Sequence, residues 1–218
     1  MNLTGILAQP ITEISGATQP SILLIIVSAA ITENILLTRF LGMCPFLSIS
    51  RELKSAVGMG LAVIVVTAGT TFLNALLYRY VLLPLEPFGV PADSMALILF
   101  IVIIAAFVQL LEMLLERVSV TLYFALGIFL PLITVNCAIL GASLFMLTKN
   151  FFMYPWRALL YGFGCGLGWF LAIILMAGIR VRLAKSPIPA GLEGPGITLI
   201  VAGIMAMAFT VFAGMIKT

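Results

Sequence analysis

Histidine is absent from this 218-residue chain. That absence removes His-ligated haem, His-based zinc centres and imidazole acid–base chemistry together. Charge is nearly as scarce: Asp, Glu, Lys and Arg make up 9% of the residues, where a soluble domain carries about 25%. Cysteine is limited to three positions. One chain therefore cannot supply the four thiolates of an ordinary iron–sulfur cluster. No C-x-x-C spacing is present, and a large apolar bundle needs no disulfide staple.

What fills the chain is apolar. Hydrophobic residues make up 63% and the mean hydropathy is +1.26, so too little polar surface remains to keep the chain in water. An all-α integral membrane protein is the expected class. The net charge of +3 calls for no nucleic-acid partner, because the basic residues sit mostly between apolar runs, where membrane topology places them. Residues 1–20 are mildly polar, with Glu13, Gly16 and Pro20, and lack the basic start and small-residue cleavage site of a signal peptide. They are expected to form a surface extension, with residues 21–218 as the transmembrane domain.

A spanning helix needs about 20 apolar residues. Six stretches qualify: Ser21–Ser48, Ser55–Leu83, Met95–Leu115, Val118–Leu147, Trp156–Val181 and Gly196–Ile216. Short polar connections separate them at Ser50–Lys54, Pro84–Asp93, Glu116-Arg117, Thr148–Asn150 and Arg182–Pro195. The first, third and fifth connections with their flanks carry Arg51, Lys54, Arg117, Arg180, Arg182 and Lys185. The other side has Arg79, Lys149, Arg157 and Lys217. This bias places both termini outside the cytoplasm. Tyr78, Tyr80, Tyr154 and Trp156 belong to the outer interface, where aromatic belts form.

The first and fourth stretches are interrupted. One reads Phe40-Leu41-Gly42-Met43-Cys44-Pro45-Phe46, the other Leu130-Pro131-Leu132-Ile133-Thr134-Val135-Asn136-Cys137-Ala138, with Gly141 beyond. Gly, Pro and Asn loosen a helix by entropy, by a missing N–H and by side-chain competition for backbone bonds. In lipid such a break survives only where protein or a cavity satisfies the freed groups. Each broken stretch is followed by two uninterrupted ones, which predicts a 3+3 inverted repeat of six transmembrane helices. Breaks at matching places in inverted repeats mark a functional site near the midplane.

Cys44 and Cys137 are the leading site candidates. A lone cysteine in an apolar helix is ordinarily a small buried hydrophobe. Two cysteines at equivalent breaks instead suggest paired metal ligands, with the other two ligands coming from another chain. Cys165, within Gly162-Phe163-Gly164-Cys165-Gly166-Leu167-Gly168, has no break beside it. Gly162/Gly166 and Gly164/Gly168 read as close-packing pairs four apart rather than a nucleotide loop. Glu33 and Glu112 lie inside proposed spans, as do Asn34, Arg39 and Gln109. An intramembrane carboxylate costs about 2.5 kcal/mol or more at a helix centre, so Glu33 is a candidate for ion coupling. Its alternative is a structural ion pair. Glu112 lies near a helix end and can snorkel. No catalytic residue is expected.

On these stretches the chain resembles the paired six-helix membrane subunits of the Na+-translocating NADH:quinone oxidoreductase (Nqr) and of the related Rnf complex. The likeness rests on Phe40–Phe46, Ile104–Glu116, Leu122–Leu140, Tyr161–Ile179 and Gly196–Gly214. It covers nearly everything after Ser21. Gly162-Phe163-Gly164 leading to Gly168-Trp169, Val135–Ile139 and Gly194–Thr198 look like the E-type subunits of Nqr. Cys44-Pro45-Phe46 is equally at home in the A-type subunits of Rnf, and the N-terminal extension departs from both patterns.

The resemblance implies a redox-driven ion translocase of the bacterial inner membrane, with NADH as donor and ubiquinone as acceptor. It also implies a [2Fe–2S] cluster or single iron held by Cys44 and Cys137 together with a homologous six-helix partner, the D-type member of Nqr, in the opposite orientation. FAD, FMN and riboflavin would belong to other members of the complex, among its A, B, C and F types. Electron relay would be coupled to sodium export. The first alternative is the A-type subunit of the Rnf complex, with electron transport between ferredoxin and NAD+; two alternatives from other classes stand beside it. A secondary ion transporter would use the breaks to bind solute or sodium, and a plain scaffold would leave the thiols at both breaks without a purpose.

Overall fold

A computed structural model describes residues 22–84, 92–118, 130–134, 136–186 and 194–215. The N-terminal extension 1–20, residues 85–91 and 187–193 of the second and fifth connections, residues 119–129 and 135 of the fourth stretch, and Lys217 lie outside the described residues. Among the described residues the secondary structure is helical, and no strand is present.

The first broken stretch is built from three short helices. Helix α1 covers Ile22–Val27 and runs into a π turn at Ser28–Thr32. Helices α2 (Ile35–Arg39) and α3 (Met43–Ile49) follow. The helix breaks twice, at Glu33-Asn34 and at Phe40–Gly42. The sequence pattern marks only the second of these. Phe40 (φ 54°) and Gly42 (φ 85°) both occupy the left-handed region, which ends α2 and starts α3 in a new direction.

Helix α4 spans Leu53–Leu77 and continues as a π turn over Tyr78–Leu82. Helix α5 covers Ala92–Val118. The second broken stretch holds α6 (Leu130–Thr134) and α7 (Cys137–Thr148), with Asn136 capping the restart. A 3-10 turn at Phe151–Met153 leads into α8 (Pro155–Leu183), and α9 covers Pro195–Met215. Three helical spans among the described residues, Leu53–Leu82, Met95–Leu114 and Pro155–Leu183, are long and apolar enough to cross a membrane. Shorter apolar helical runs cover Ile22–Thr32, Leu132–Thr148 and Pro195–Val211.

Helices α4 and α8 pack against each other most extensively and form the spine. The first broken stretch lies on α8, and α7 lies on α4. Helix α5 touches α6 and α7, while α9 touches α2 and the π turn before it. The two broken stretches meet through α2 with α7 and α3 with α6. Each of these contacts has a counterpart when the first three stretches are exchanged for the last three.

Glycines on two stripes of α8 permit this closeness. A methyl added at Gly166 would sit 2.7 Å from the Ile64 Cα of α4, and one at Gly162 would be 2.8 Å from the Thr67 carbonyl. On the other stripe, a methyl at Gly168 would lie 2.6 Å from the Ala30 carbonyl, and one at Gly164 would lie 2.9 Å from that of Ile26. The small-residue pairs thus serve two different neighbours. Cys165, between the stripes, is 1% exposed and packs in the core.

Polar contacts tie the ends. Arg180 donates to the Leu47 carbonyl (3.0 Å) and to the Ser50 hydroxyl (2.7 Å), capping α3. Arg79 donates to the Met153 carbonyl at 2.6 Å. These bonds join the end of α8 to the end of α3 and the end of α4 to the turn before α8. Gly168→Ala should force α8 away from the first broken stretch and cost about 1–3 kcal/mol. Gly178→Ala, whose added methyl meets nothing within 4 Å, should be neutral or gain up to about 1 kcal/mol. Thermal unfolding of the detergent-solubilised chain, followed by helix signal, separates the two.

Candidate functional site

The two breaks converge on one turn. The backbone N–H of Gly42 donates to Cys137 Sγ at 2.9 Å, across 95 residues of sequence. Cys44 is two residues further on, so its Cα lies within about 7 Å of the Gly42 Cα. Cys44 and Cys137 are both exposed on the isolated chain, whereas Cys165 is buried, and none of the three is in a disulfide.

Depth follows from helix geometry. Cys137 opens the 12-residue helix α7, so it lies about 18 Å below the polar connection at Lys149. Half of a hydrocarbon core about 30 Å thick is about 15 Å. Trp169, which borders the same turn, stands at the midpoint of the 29-residue helix α8. Both measures put Cys137 and the Gly42 turn near the middle of the helices that flank them, well away from the polar end at Lys149.

Side chains supply what the broken helices lack. Asn34 Oδ1 accepts from the N–H groups of Leu36 (3.1 Å) and Leu37 (3.4 Å), capping α2. Its Nδ2 donates to the Gly168 carbonyl at 2.8 Å and to that of Ala30 at 3.2 Å. Asn136 caps α7 in the same way, accepting from Ala138 N at 3.1 Å. Asparagine is among the strongest N-cap residues, and Asn34 is the sequence signal that could have located the Glu33-Asn34 break.

Gly42 has no room for a side chain. An added methyl would lie 2.7 Å from Trp169 Nε1, 2.9 Å from Ala138 Cβ and 3.0 Å from Asn136 Oδ1. The turn is therefore pressed between α7 and α8. Two buried donors beside it, Asn136 Nδ2 and Trp169 Nε1, have no hydrogen-bond partner among the described residues.

Glu33 sits elsewhere. It occupies the first break and forms an ion pair with Lys149; its side chain is 45% exposed and that of the lysine 32%. The Lys149 ammonium also lies 5.4 Å from the centre of the Tyr161 ring. The pair links the first break to the polar end of α7, while Gly42 and Cys137 meet at the other end of α7. Arg39 stacks on Phe145 of α7 at 4.7 Å. Glu112 is half-buried on α5 and Gln109 is exposed.

No group of three or more Cys, Asp or Glu converges as a metal site among the described residues. What the turn offers is two thiols, one already accepting a backbone N–H bond. Both thiols are exposed on the isolated chain.

A helical protein with long apolar spans and two cysteine-bearing helix breaks joined at one turn is the class these observations define. The chain belongs to the Rnf-Nqr family, described as "Rnf-Nqr subunit, membrane protein", which matches residues 22–216. It is 48% identical over 195 residues to the E-type subunit of the Na(+)-translocating NADH-quinone reductase of Marinobacter nauticus, covering 87% of this chain and 96% of the relative. The E-type subunit of the same enzyme from Dichelobacter nodosus is 48% identical over 196 residues, with the same coverage. That of Nitrosomonas europaea is 49% identical over 193 residues, covering 86% of this chain and 95% of the relative.

Alkylation tests the exposure pattern. A small maleimide added to the folded chain in mild detergent should modify two cysteines promptly, and mass mapping should place them at Cys44 and Cys137. Cys165 should react only after denaturation.

Proposed function

We propose that this chain serves as a membrane subunit of a Na+-translocating NADH:quinone oxidoreductase, in the role held by its E-type relatives. Identity near 48% over almost the whole of those relatives supports the assignment. It also favours Nqr over the Rnf alternative. The single observation behind the mechanism is the Gly42 N–H bond to Cys137 Sγ, because it joins the two breaks at the depth where an electron must cross.

Cys44 and Cys137 are proposed to hold half of a [2Fe–2S] cluster, or of a single iron, with a homologous partner of opposite orientation supplying the other half. The residues present fit such a group. Both thiols are exposed, thiolates are the usual ligands of iron–sulfur centres, and two side chains with unpartnered buried donors border the Gly42 turn. When bound, the group supplies a one-electron redox step inside the membrane. The chain's own residues hold two sulfurs in place, donate one backbone N–H to a sulfur and keep bulk water away with the apolar walls of α7 and α8. FAD, FMN and riboflavin are assigned to other members of the complex.

The six-span 3+3 inverted repeat belongs to the same proposal. Its support is the exchange symmetry of the contacts: first stretch on α8 and α7 on α4, α5 on the second break and α9 on the first. Such a fold can pair with a related chain turned over in the membrane. The basic residues of the first, third and fifth connections favour a bacterial inner membrane location with both termini periplasmic.

Cys44→Ala or Cys137→Ala should each remove the iron signal from the purified complex and lower electron transfer to quinone by at least about 100-fold, the upper range for losing a metal ligand's support. Cys165→Ala should leave both near wild type. Full iron content in the double Cys44→Ala/Cys137→Ala complex would sink the relay assignment.

Glu33 supports a coupling role, since a carboxylate at a helix break can accept sodium once its lysine partner is displaced. Glu33→Gln should raise the sodium concentration needed for half-maximal turnover while iron content stays constant. An unchanged sodium dependence assigns Glu33 to structural pairing with Lys149.

A further inference from the structure

Buried side-chain polar atoms without a hydrogen-bond partner are few among the described residues, and two of them border the Gly42 turn. Trp169 is 0% exposed and Asn136 3% exposed, so water does not readily satisfy either. Both are donors. A methyl added at Gly42 would lie 2.7 Å from Trp169 Nε1 and 3.0 Å from Asn136 Oδ1, and Asn136 directly precedes Cys137. The Gly42 N–H is already on Cys137 Sγ, and the Trp169 indole N–H and the Asn136 side chain border the same sulfur-bearing turn.

Donors left unpartnered in an apolar interior are costly, and the described residues of this chain offer them no acceptor. Their placement is suited to negative charge that develops on the cysteine sulfur of the turn itself when it ligates a metal. We infer that Trp169 Nε1–H and Asn136 Nδ2–H are positioning donors that hydrogen-bond the anionic sulfurs of the shared iron centre and raise its reduction potential; this rests on the relay role proposed above. On reduction one electron enters and no bond is made or broken in the protein. The added negative charge strengthens N–H···S bonds, so the donors favour the reduced form. Removing a donor should lower the potential.

The experiment uses the complete purified complex carrying Trp169→Phe, which keeps an aromatic ring without the donor. A second variant, Asn136→Ser, retains an oxygen to cap α7 and removes the amide donor. Iron per complex is measured first, and the midpoint is then found by redox titration of the paramagnetic signal. Each variant should keep its iron and show a more negative midpoint, by about tenfold in the reduction equilibrium, or about 59 mV for one electron. An exchangeable-proton coupling to the centre should also disappear in Trp169→Phe. If that variant fails to assemble, Asn136→Ser decides.

Wild-type midpoints and unchanged proton couplings in variants with full iron would overturn the inference and leave the relay intact. Iron retained without Cys44 and Cys137 would instead overturn the relay itself. The two failures are therefore distinguishable.

Discussion

A broken helix inside a bilayer exposes backbone N–H and C=O groups that lipid cannot satisfy, and this structure is organised around meeting that need from within. Asn34 and Asn136 each cap the helix that restarts after a break. Asn34 also reaches across to the Gly168 carbonyl, so the first break is anchored to α8 and not merely closed on itself. Gly164 and Gly168 let that approach happen, because a β-carbon at either would press on backbone of the first stretch. Helix α8 is thus shaped in part by the break it supports: Gly164 and Gly168 face a neighbour that is itself irregular.

The same economy explains why the spine is α4 with α8. Lipid tails are as apolar as leucine, so helices in a membrane associate through close packing and hydrogen bonds instead of water exclusion. Gly162 and Gly166 bring α8 onto α4, and Asn74 of α4 donates to the Ser143 hydroxyl of α7 at 2.9 Å. Thr67, Thr70 and Thr71 turn their hydroxyls back onto carbonyls of their own helix, which lets a polar face be buried without partners elsewhere. The two breaks consequently sit on either side of a rigid pair and cannot drift apart without disturbing it.

How legible each feature is in the sequence depends on the kind of signal it carries. The break at Phe40–Gly42 and the one ending at Asn136 are visible because Gly, Pro and Asn interrupt apolar runs there. The glycine pairs of α8 show by their spacing, and the unbroken run around Cys165 marks it as a packed residue. The Glu33-Asn34 break is hidden, since a single asparagine in an apolar run reads equally as a buried polar residue. Glu33 is legible as a charge inside a span, but its partner Lys149 lies 116 positions away, and local periodicity carries no information at that range. The Gly42 to Cys137 bond is invisible for the same reason. Only the repetition of cysteine at two breaks hints that they meet.

The composition of the turn itself carries the last step. A fold seeking stability alone would place at the contact of α7, α8 and the first break a phenylalanine and a residue with its capping oxygen but no spare N–H. Instead an indole and an amide sit there with donors unspent, at a cost of about 1–3 kcal/mol for each group left unsatisfied. The left-handed glycine beside them turns its own N–H onto a sulfur. Burial magnifies such bonds, because low dielectric strengthens a hydrogen bond as much as it penalises an unmade one. A turn built in this way would favour negative charge on its sulfur, in an apolar interior where charge is otherwise costly. An iron centre ligated by the two thiolates, as proposed above, is a chemistry that would repay it.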